Sequence, residues 1–317
     1  MAPIKTIVFG PGGKVGSAAA RGARQHGADV VLAMRDPRKP IPGLSLDEER
    51  EGGYERVEAD LTQPDSVSVA VKKTSAKRAF IYVAFGTPDN MKSSITALKS
   101  AGIEFVVLLS SFSVNGDIKA IKPSKFVAWA HAQIEINLGE VFGPAGFVAL
   151  RPAWFASNVA WYKKQISEGE VKLAYPEPEW DWISPSDIGG LAGALLARGS
   201  QGLNDTHEAN VIYLCGPEKL STRDAIGVIA RAIGKNIKVT QIDEQEALEV
   251  FVKTTGVPEA LAKDLIQKHK AQQEEKGALL FGSPNYQVAV GNIEKFLGKQ
   301  PMRFREWAEG NKQEFGA

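Results

Sequence analysis

The stretch from Ile7 to Gly16, IVFGPGGKVG, constrains the fold more than any other part of the chain. An apolar run ends in three glycines at three-residue spacing, Gly10, Gly13 and Gly16, with Gly12 as an extra, and a helical pattern begins at about Lys14 and runs to His26. Glycine lacks a Cβ, so a backbone built from it can turn tightly and approach a pyrophosphate closely. The first N–H groups of a helix that follows such a turn point at the anion, with the helix dipole in favour. The spacing alone is also compatible with a merely structural turn between a strand and a helix. The remaining elements of a nucleotide site therefore have to be found around it.

The first half of the chain supplies the setting. Apolar runs at 4–9, 29–34, 55–60, 79–85, 102–111 and 146–152 read as strands. Helix-length segments start near Lys14 and Pro64 and span about 88–101 and 124–139, while 36–53 reads as a Pro/Gly/acid-rich loop. Strands that are apolar on both faces and separated by helices predict a parallel sheet covered on both sides. Right-handed crossovers make it a doubly wound α/β sheet of the Rossmann type. The second half is less regular. DIGGLAGALLA (187–197) reads as another covering helix and NVIYLCG (210–216) as a returning strand, with helices expected near 222–233, 243–255 and 257–275 and in the tail FREWAEGNK. The expected division is a dinucleotide-binding domain over 1–155, its sheet completed by segments near 182–216. A smaller, mostly helical substrate lobe then covers 156–317.

Bulk properties narrow the function classes. The net charge of +1 and the lack of a long basic run give no support for a nucleic-acid surface. Cys215 is the single cysteine, so an internal disulfide and any Cys-rich metal site are excluded, and a reducing compartment fits. No apolar run approaches the roughly 20 residues that span a bilayer. The opening MAPIKTIVFG enters a strand pattern at once and does not read as a signal peptide, which leaves a cytoplasmic protein, monomeric or homodimeric, as the expectation.

After the second strand comes AMRDPRK. A cofactor lacking a 2′-phosphate usually meets an acidic residue there, which accepts bonds from the ribose hydroxyls. Here Arg35 stands at the strand end with Arg38 and Lys39 behind it, a set suited to a 2′-phosphate through charge-assisted bonds and stacking on adenine. Asp36 is the counter-indication, and a solvated loop is the plain alternative. The balance favours NADPH/NADP as cofactor.

VFGPGGKVG, LAMRDPRK, VEADLTQPDSV, VVLLSSFSV and VALRPAWFASN occur in an order that resembles the NmrA-like branch of the atypical short-chain dehydrogenase/reductases. The likeness extends through WISPSDIG and YLCGPEKLSTRDAIGVIARAIGK and so covers most of the chain. Within the branch it runs nearest to the fungal festuclavine/agroclavine dehydrogenases and more loosely to isoflavone reductases and quinone-reductase-like members. The resemblance implies a phosphate loop of Gly10, Gly12, Gly13, Lys14, Val15 and Gly16, with Arg35 and Lys39 at the 2′-phosphate and Asp60 and Leu61 beside adenine. It also implies Ala84, Phe85 and Gly86 along the ribose, Ser110 near the nicotinamide, and Pro152 and Phe155 closing over it. For most of these the plain alternative is that strand ends need small or turn-forming residues in any case.

Many short-chain reductases place a Tyr-x-x-x-Lys pair on the helix after the fifth strand, where one turn of spacing sets both side chains on one face. Here that helix reads KFVAWAHAQIEINL, with Val127 in the tyrosine position and His131 in the lysine position. Either the protein binds the cofactor without chemistry, as a sensing regulator would, or its reaction needs no phenolic acid. Hydride addition to an iminium carbon meets the second condition, because it yields a neutral amine directly. Carbonyl or enone reduction is compatible with Ser111 as hydrogen-bond donor and His131 or water as the acid. His131 could equally hold ribose hydroxyls, or pair with Glu135 one turn later. A metal is not expected, since His131 and Glu135 have no third ligand in view.

RPAWFASNVAWYKKQ crowds Trp154, Phe155, Trp161 and Tyr162 together, either as core packing or as an aromatic wall for a flat hydrophobic substrate. Trp154, Asn158 and Tyr162 are the substrate-binding candidates, and a cavity bounded by Ser111, Trp154 and Phe155 is expected over the nicotinamide. The acidic-aromatic stretch AYPEPEWDW (174–182) faces either a basic amine or solvent. Taken together, the sequence predicts an NADPH-dependent reductase of a small hydrophobic metabolite. The alternatives are a non-catalytic NADP(H) sensor and a non-redox enzyme that retains the fold.

Overall fold

The computed structural model describes residues 3–203 and 210–316. Its framework is a seven-stranded parallel sheet formed by β1 (Lys5–Phe9), β2 (Asp29–Met34), β3 (Glu55–Glu58), β4 (Arg78–Tyr82), β5 (Phe105–Leu109), β6 (Phe147–Pro152) and, after the short lobe strands β7 (Glu170–Leu173) and β8 (Glu179–Trp180), β9 (Val211–Leu214). The spatial order is β3-β2-β1-β4-β5-β6-β9. Because β1 lies between β2 and β4, the crossovers leave in opposite directions on its two sides and open a crevice at its carboxyl end.

Both faces of the sheet are covered, as the continuous apolar strands require. On one face lie α1 (Lys14–Gln25) and, reached later in the chain, α7 (Pro185–Arg198). The other carries α3 (Pro64–Thr74), α4 (Lys92–Ala101) and α5 (Phe126–Phe142). The expected loop at 36–53 contains a short helix, α2 (Leu46–Glu51), started by a capping box. Ser45 Oγ accepts from the Glu48 N–H at 3.2 Å while Glu48 Oε2 accepts from the Ser45 N–H at 2.7 Å.

Helix α1, whose first turn carries the glycine loop, is locked from behind by α7. The helices cross backbone to backbone, since a Cβ on Gly193 would lie 2.5 Å from the Gly22 carbonyl carbon and 2.6 Å from the Ala19 oxygen. The small residues after the loop, Ser17 to Ala20, thus serve a close helix pair as well as the sheet.

A third core belongs to the second lobe. Helices α6 (Lys163–Glu168), α8 (Thr222–Ala232), α9 (Glu244–Thr255), α10 (Glu259–Glu274), α11 (Ala278–Phe281), α12 (Pro284–Ala289), α13 (Asn292–Leu297) and α14 (Phe304–Asn311) supply most of this half, although α13 packs against the sheet's own core. The lobe is not purely helical. β7 pairs in parallel with β11 (Lys238–Gln241), and β8 pairs antiparallel with β10 (Leu220–Ser221).

Asp181 joins the lobe to the sheet. It is fully buried, and its carboxylate accepts the N–H groups of Trp154 at 2.9 Å and Gly216 at 2.8 Å, the residues just beyond β6 and β9. Burial pushes its pKa up to about 7 against the opposing pull of those N–H bonds. A carboxyl that holds its proton more tightly in the folded chain stabilises fully below the unfolded pKa, and that contribution is lost as pH rises through the folded one. Denaturant titrations should therefore show wild-type stability falling relative to Asp181→Asn between about pH 4 and pH 7. A constant difference across that window would count against the buried carboxyl as a titrating group.

Candidate functional site

At the carboxyl ends of β1, β2 and β4 the crevice widens into a cleft of about 1060 Å³. Its floor follows from the sheet register. Phe9 pairs with Ala33, and Met34 pairs with Glu58, so Gly10, Arg35 and Asp60 emerge side by side from three neighbouring strands. Gly10 takes the left-handed conformation at φ +70°, and its carbonyl accepts the Gly13 N–H at 3.0 Å. Gly12 and Gly13 are exposed, and a Cβ on Gly12 would meet nothing within 4 Å. The loop therefore presents bare backbone N–H groups and an uncovered helix N-terminus to the cleft, as a phosphate cradle requires.

Gly10, Gly12, Gly13, Lys14, Val15, Gly16, Arg35, Lys39, Asp60, Leu61 and Phe155 all line this cleft. Arg35 is exposed, and no hydrogen bond or ion pair holds its guanidinium among the described residues. Asp36, the counter-indication, is taken up locally: Arg38 Nε and Nη2 reach its two oxygens at 2.9 and 3.2 Å, and the Arg38 N–H adds a third bond at 3.1 Å. Those bonds lower the Asp36 pKa. Burial raises the pKa of Asp60, but the N–H and hydroxyl of Thr62 and the charge of Arg35 outweigh it, so the net shift is downward. Asp60 accepts from Thr62 at 2.9 and 2.8 Å. Lys14, on the loop, is held by both oxygens of Glu314 at 2.6 Å.

The other expected residues lie around the cleft without lining it. The Ala84 N–H contacts Met91 Sδ at 3.3 Å. Phe85 is half exposed beside Gly86, stacked on Phe126 at 5.5 Å and edge-on to His131 at 5.9 Å. Pro152 is buried, and its carbonyl accepts the Phe112 N–H at 2.9 Å. Ser110 is buried too, and its hydroxyl is committed to Glu135. Ser111 shares a hydrogen bond of 2.8 Å with Ser113.

His131 does not pair with Glu135. The Glu135 carboxylate instead takes Arg151 through two bonds, 3.1 Å from Nε and 2.6 Å from Nη2, with both side chains buried. The His131 Nδ1 lies 2.9 Å from the Val127 carbonyl, an atom that only accepts, so Nδ1 carries the hydrogen and Nε2 is an acceptor in the neutral ring. Burial pushes the His131 pKa down to about 4, with Lys268 adding to the effect. At neutral pH Nε2 can only accept a hydrogen bond, and the one ring proton, on Nδ1, is committed to the Val127 carbonyl.

The aromatic segment divides between two environments. Asn158 lines the cleft together with Phe155, Ser157, Ala160 and Trp161. Trp154 does not line it. That ring is 8 % exposed, stacked on Trp180 at 4.4 Å and edge-on to Trp182 and His269. Tyr162 is buried in the lobe core, which raises its pKa. The expected cavity between Ser111, Trp154 and Phe155 is thus replaced by one walled by Phe155, Asn158 and Trp161. Tyr82, at the end of β4, is a cleft residue that the sequence reading did not single out, and its ring packs against the outer side of Gly10. Among the described residues no group of three or more His, Cys, Asp or Glu side chains is arranged to hold a metal, and no helix is long and apolar enough to cross a membrane.

Comparison with known proteins gives consistent matches. The model of the NmrA-like family matches residues 4–305. The nitrogen metabolite regulation-like protein bik4 of Gibberella fujikuroi is 38 % identical over 96 % of this chain and 95 % of its own length. Festuclavine synthase I of Penicillium roqueforti is 26 % identical over 68 % of this chain and 67 % of its own. Among solved structures, an NADPH-dependent quinone oxidoreductase of Escherichia coli complexed with NADPH superimposes with a TM-score of 0.69, at 17 % identity, over 97 % of this chain and 99 % of that one.

Proposed function

The chain belongs to the NmrA-like family, and from that premise we propose that it is an NADPH-dependent reductase of a small hydrophobic metabolite, passing hydride to an imine or iminium carbon or to a conjugated enone. The observation that carries this reading is the cleft itself. A bare glycine loop and an unpaired guanidinium stand at one end, and Phe155, Asn158 and Trp161 wall the other. At about 1060 Å³ it lies at the upper end of the size range of ligand pockets, which suits a dinucleotide with a substrate beside it.

The residues fit the cofactor. Loop N–H groups of Gly12, Lys14 and Val15 would hold the pyrophosphate, that of Gly13 being donated to the Gly10 carbonyl, with Arg35 and Lys39 at the 2′-phosphate and Asp60 and Leu61 at the adenine edge. NADPH, when bound, supplies the hydride. The protein's own contribution is then placement and charge accommodation. No phenol stands on α5, Ser111 is engaged with Ser113, and His131 is neutral. An iminium acceptor matches that inventory: the C–H bond forms as the C=N π pair returns to nitrogen, and no proton is needed. A neutral imine, protonated to the iminium before hydride arrives, or an enone after it, would draw its proton from water.

Arg35→Ala is expected to weaken NADPH about tenfold or more while leaving NADH nearly unchanged, because one charged hydrogen bond is worth roughly 1.5–3 kcal/mol. Titration of both cofactors reads this directly, and equal losses would remove the 2′-phosphate assignment.

A second reading has its own support in the resemblance to a regulation-like protein over nearly the full chain. In it the protein senses NADP(H) and turns nothing over. Loss of NADPH absorbance with a panel of iminium, enone, quinone and ketone compounds tests the reductase. A protein inert to all of them that distinguishes oxidised from reduced cofactor would be the sensor.

A further inference from the structure

Tyr82 closes β4 and lines the cofactor cleft, partly exposed. In the register of β1 and β4, Val8 stands opposite Phe80, so Gly10 is level with Tyr82 two residues on. A Cβ on Gly10 would lie 2.6 Å from Tyr82 Cε1, 3.1 Å from Cδ1 and 3.4 Å from Cζ. Cε1 and Cζ belong to the hydroxyl end of the ring. The phenol therefore reaches from β4 across the end of β1, with its polar tip over the first glycine of the loop. Only a residue without a Cβ at position 10 leaves room for it.

β2 lies on the far side of β1, and the adenosine end of the cleft lies with it. Burial raises the Tyr82 pKa, the charge of Arg35 lowers it in part and that of Asp60 raises it again, so the net shift is upward. The phenol thus keeps its proton at neutral pH, and the two charges that act on it both stand at the adenosine end. Lys14, the cation beside the pyrophosphate cradle, is tied to Glu314 and is not among them. The Tyr82 hydroxyl has no hydrogen-bond partner among the described residues, and it is not sealed in the interior. The carboxylates around it are occupied: Asp36 holds Arg38, and Asp60 Oδ1 accepts from the N–H and the hydroxyl of Thr62. Arg35 and Lys39 line the cleft with no carboxylate paired to either among the described residues. This end of the cleft therefore combines two unpaired cations with one neutral O–H donor.

We propose that Tyr82 is a specificity-determining residue for the cofactor, its hydroxyl donating a hydrogen bond to the 2′-phosphate of NADPH beside Arg35 and Lys39. The proposal rests on the NADPH reading of the cleft and adds to it a group that recognises the phosphate without carrying charge. Preference for NADPH over NADH then comes from the ends of β2 and β4 together.

The test is calorimetric titration of the full-length wild type and Tyr82→Phe with NADPH, NADH, adenosine 2′,5′-bisphosphate and 5′-AMP. The substitution keeps the ring against Gly10 and removes a hydroxyl that bonds to no protein atom, so the cofactor-free variant should unfold at the wild-type midpoint. NADPH and the bisphosphate are expected to bind about tenfold more weakly, as loss of one hydrogen bond to a charged group implies. NADH and 5′-AMP should bind as they do to wild type. Phosphorus NMR of the bound cofactor reads the contact separately, because the 2′-monoester and the pyrophosphate give distinct resonances. A phosphate monoester loses its second proton at about pH 6, and a phenolic donor favours the dianion. The bound 2′-phosphate should therefore titrate at higher pH in Tyr82→Phe than in wild type, with the pyrophosphate resonances unmoved; Arg35, Asp36, Lys39 and Asp60 face it equally in both proteins. Equal losses for NADPH and NADH, which would place the hydroxyl on the ribose or the pyrophosphate, no loss for either, or an unchanged 2′-phosphate titration would each overturn the proposal. Wild type that binds neither NADPH nor the bisphosphate removes the cofactor reading and the role of Tyr82 with it. Wild type that prefers NADPH, with the preference lost in Arg35→Ala and kept in Tyr82→Phe, removes the role of Tyr82 alone.

Discussion

Gly16→Ala is expected to lower NADPH affinity by about a hundredfold or more, a loss of roughly 2.7 kcal/mol. The added methyl would run into the Gly10 carbonyl oxygen and lie 2.9 Å from the Gly10 carbon and 3.3 Å from Pro11 Cα. All three are backbone atoms, so no side chain can rotate away. Gly10 cannot retreat easily either, because its own Cβ position is closed by the Tyr82 ring at 2.6 Å and its φ of +70° depends on glycine. The loop must therefore shift away from the head of α1 and lose the N–H array that faces the anion. Gly12→Ala is the matched control. A Cβ there meets no protein atom within 4 Å, so the apo protein should unfold at its wild-type midpoint while NADPH binding still weakens. Calorimetric titration and thermal unfolding of both variants separate the two effects. Wild-type affinity in Gly16→Ala would mean that the loop is only a turn.

The parallel sheet and this loop were legible because both are local. Strands buried on two faces read as continuous apolar runs, and a glycine turn between strand and helix occupies consecutive residues. The capping box Ser45-x-x-Glu48 was local as well, and would have revealed α2 inside a stretch read as loop. Non-local matters were not legible. Spacing on α5 suggested a His131–Glu135 pair, but a guanidinium from the adjacent strand made a better partner than an imidazole one turn away. The aromatic cluster at 154–162 carries no mark of which rings face the cleft; that depends on the 3₁₀ turn at Ala156–Tyr162, which turns Trp161 outward and Tyr162 inward. The strands β7 and β11 are short and separated by more than sixty residues of lobe, so neither shows a pattern until the other is beside it.

The partner that displaced His131 supplies the other large expected effect. Arg151 and Glu135 are 4 % and 3 % exposed, and the network they anchor continues to the Ser110 hydroxyl and to the Tyr213 hydroxyl, which accepts from Arg151 Nη1 at 2.6 Å. It ties α5 to the ends of β5, β6 and β9 beneath the rim of the cleft. Burial works against the Arg151 charge, but the bonds and charge of Glu135 outweigh it and its pKa is raised. Removing either partner strands the other as an unpaired buried charge, which costs about 3–5 kcal/mol. Arg151→Met alone and Glu135→Leu alone should each show that loss in denaturant titrations. The double variant, which buries no charge at all, should recover most of it, since replacing a buried pair by apolar groups of similar volume is often neutral. Additive losses in the double variant would show that packing volume, not charge pairing, is what the two side chains contribute.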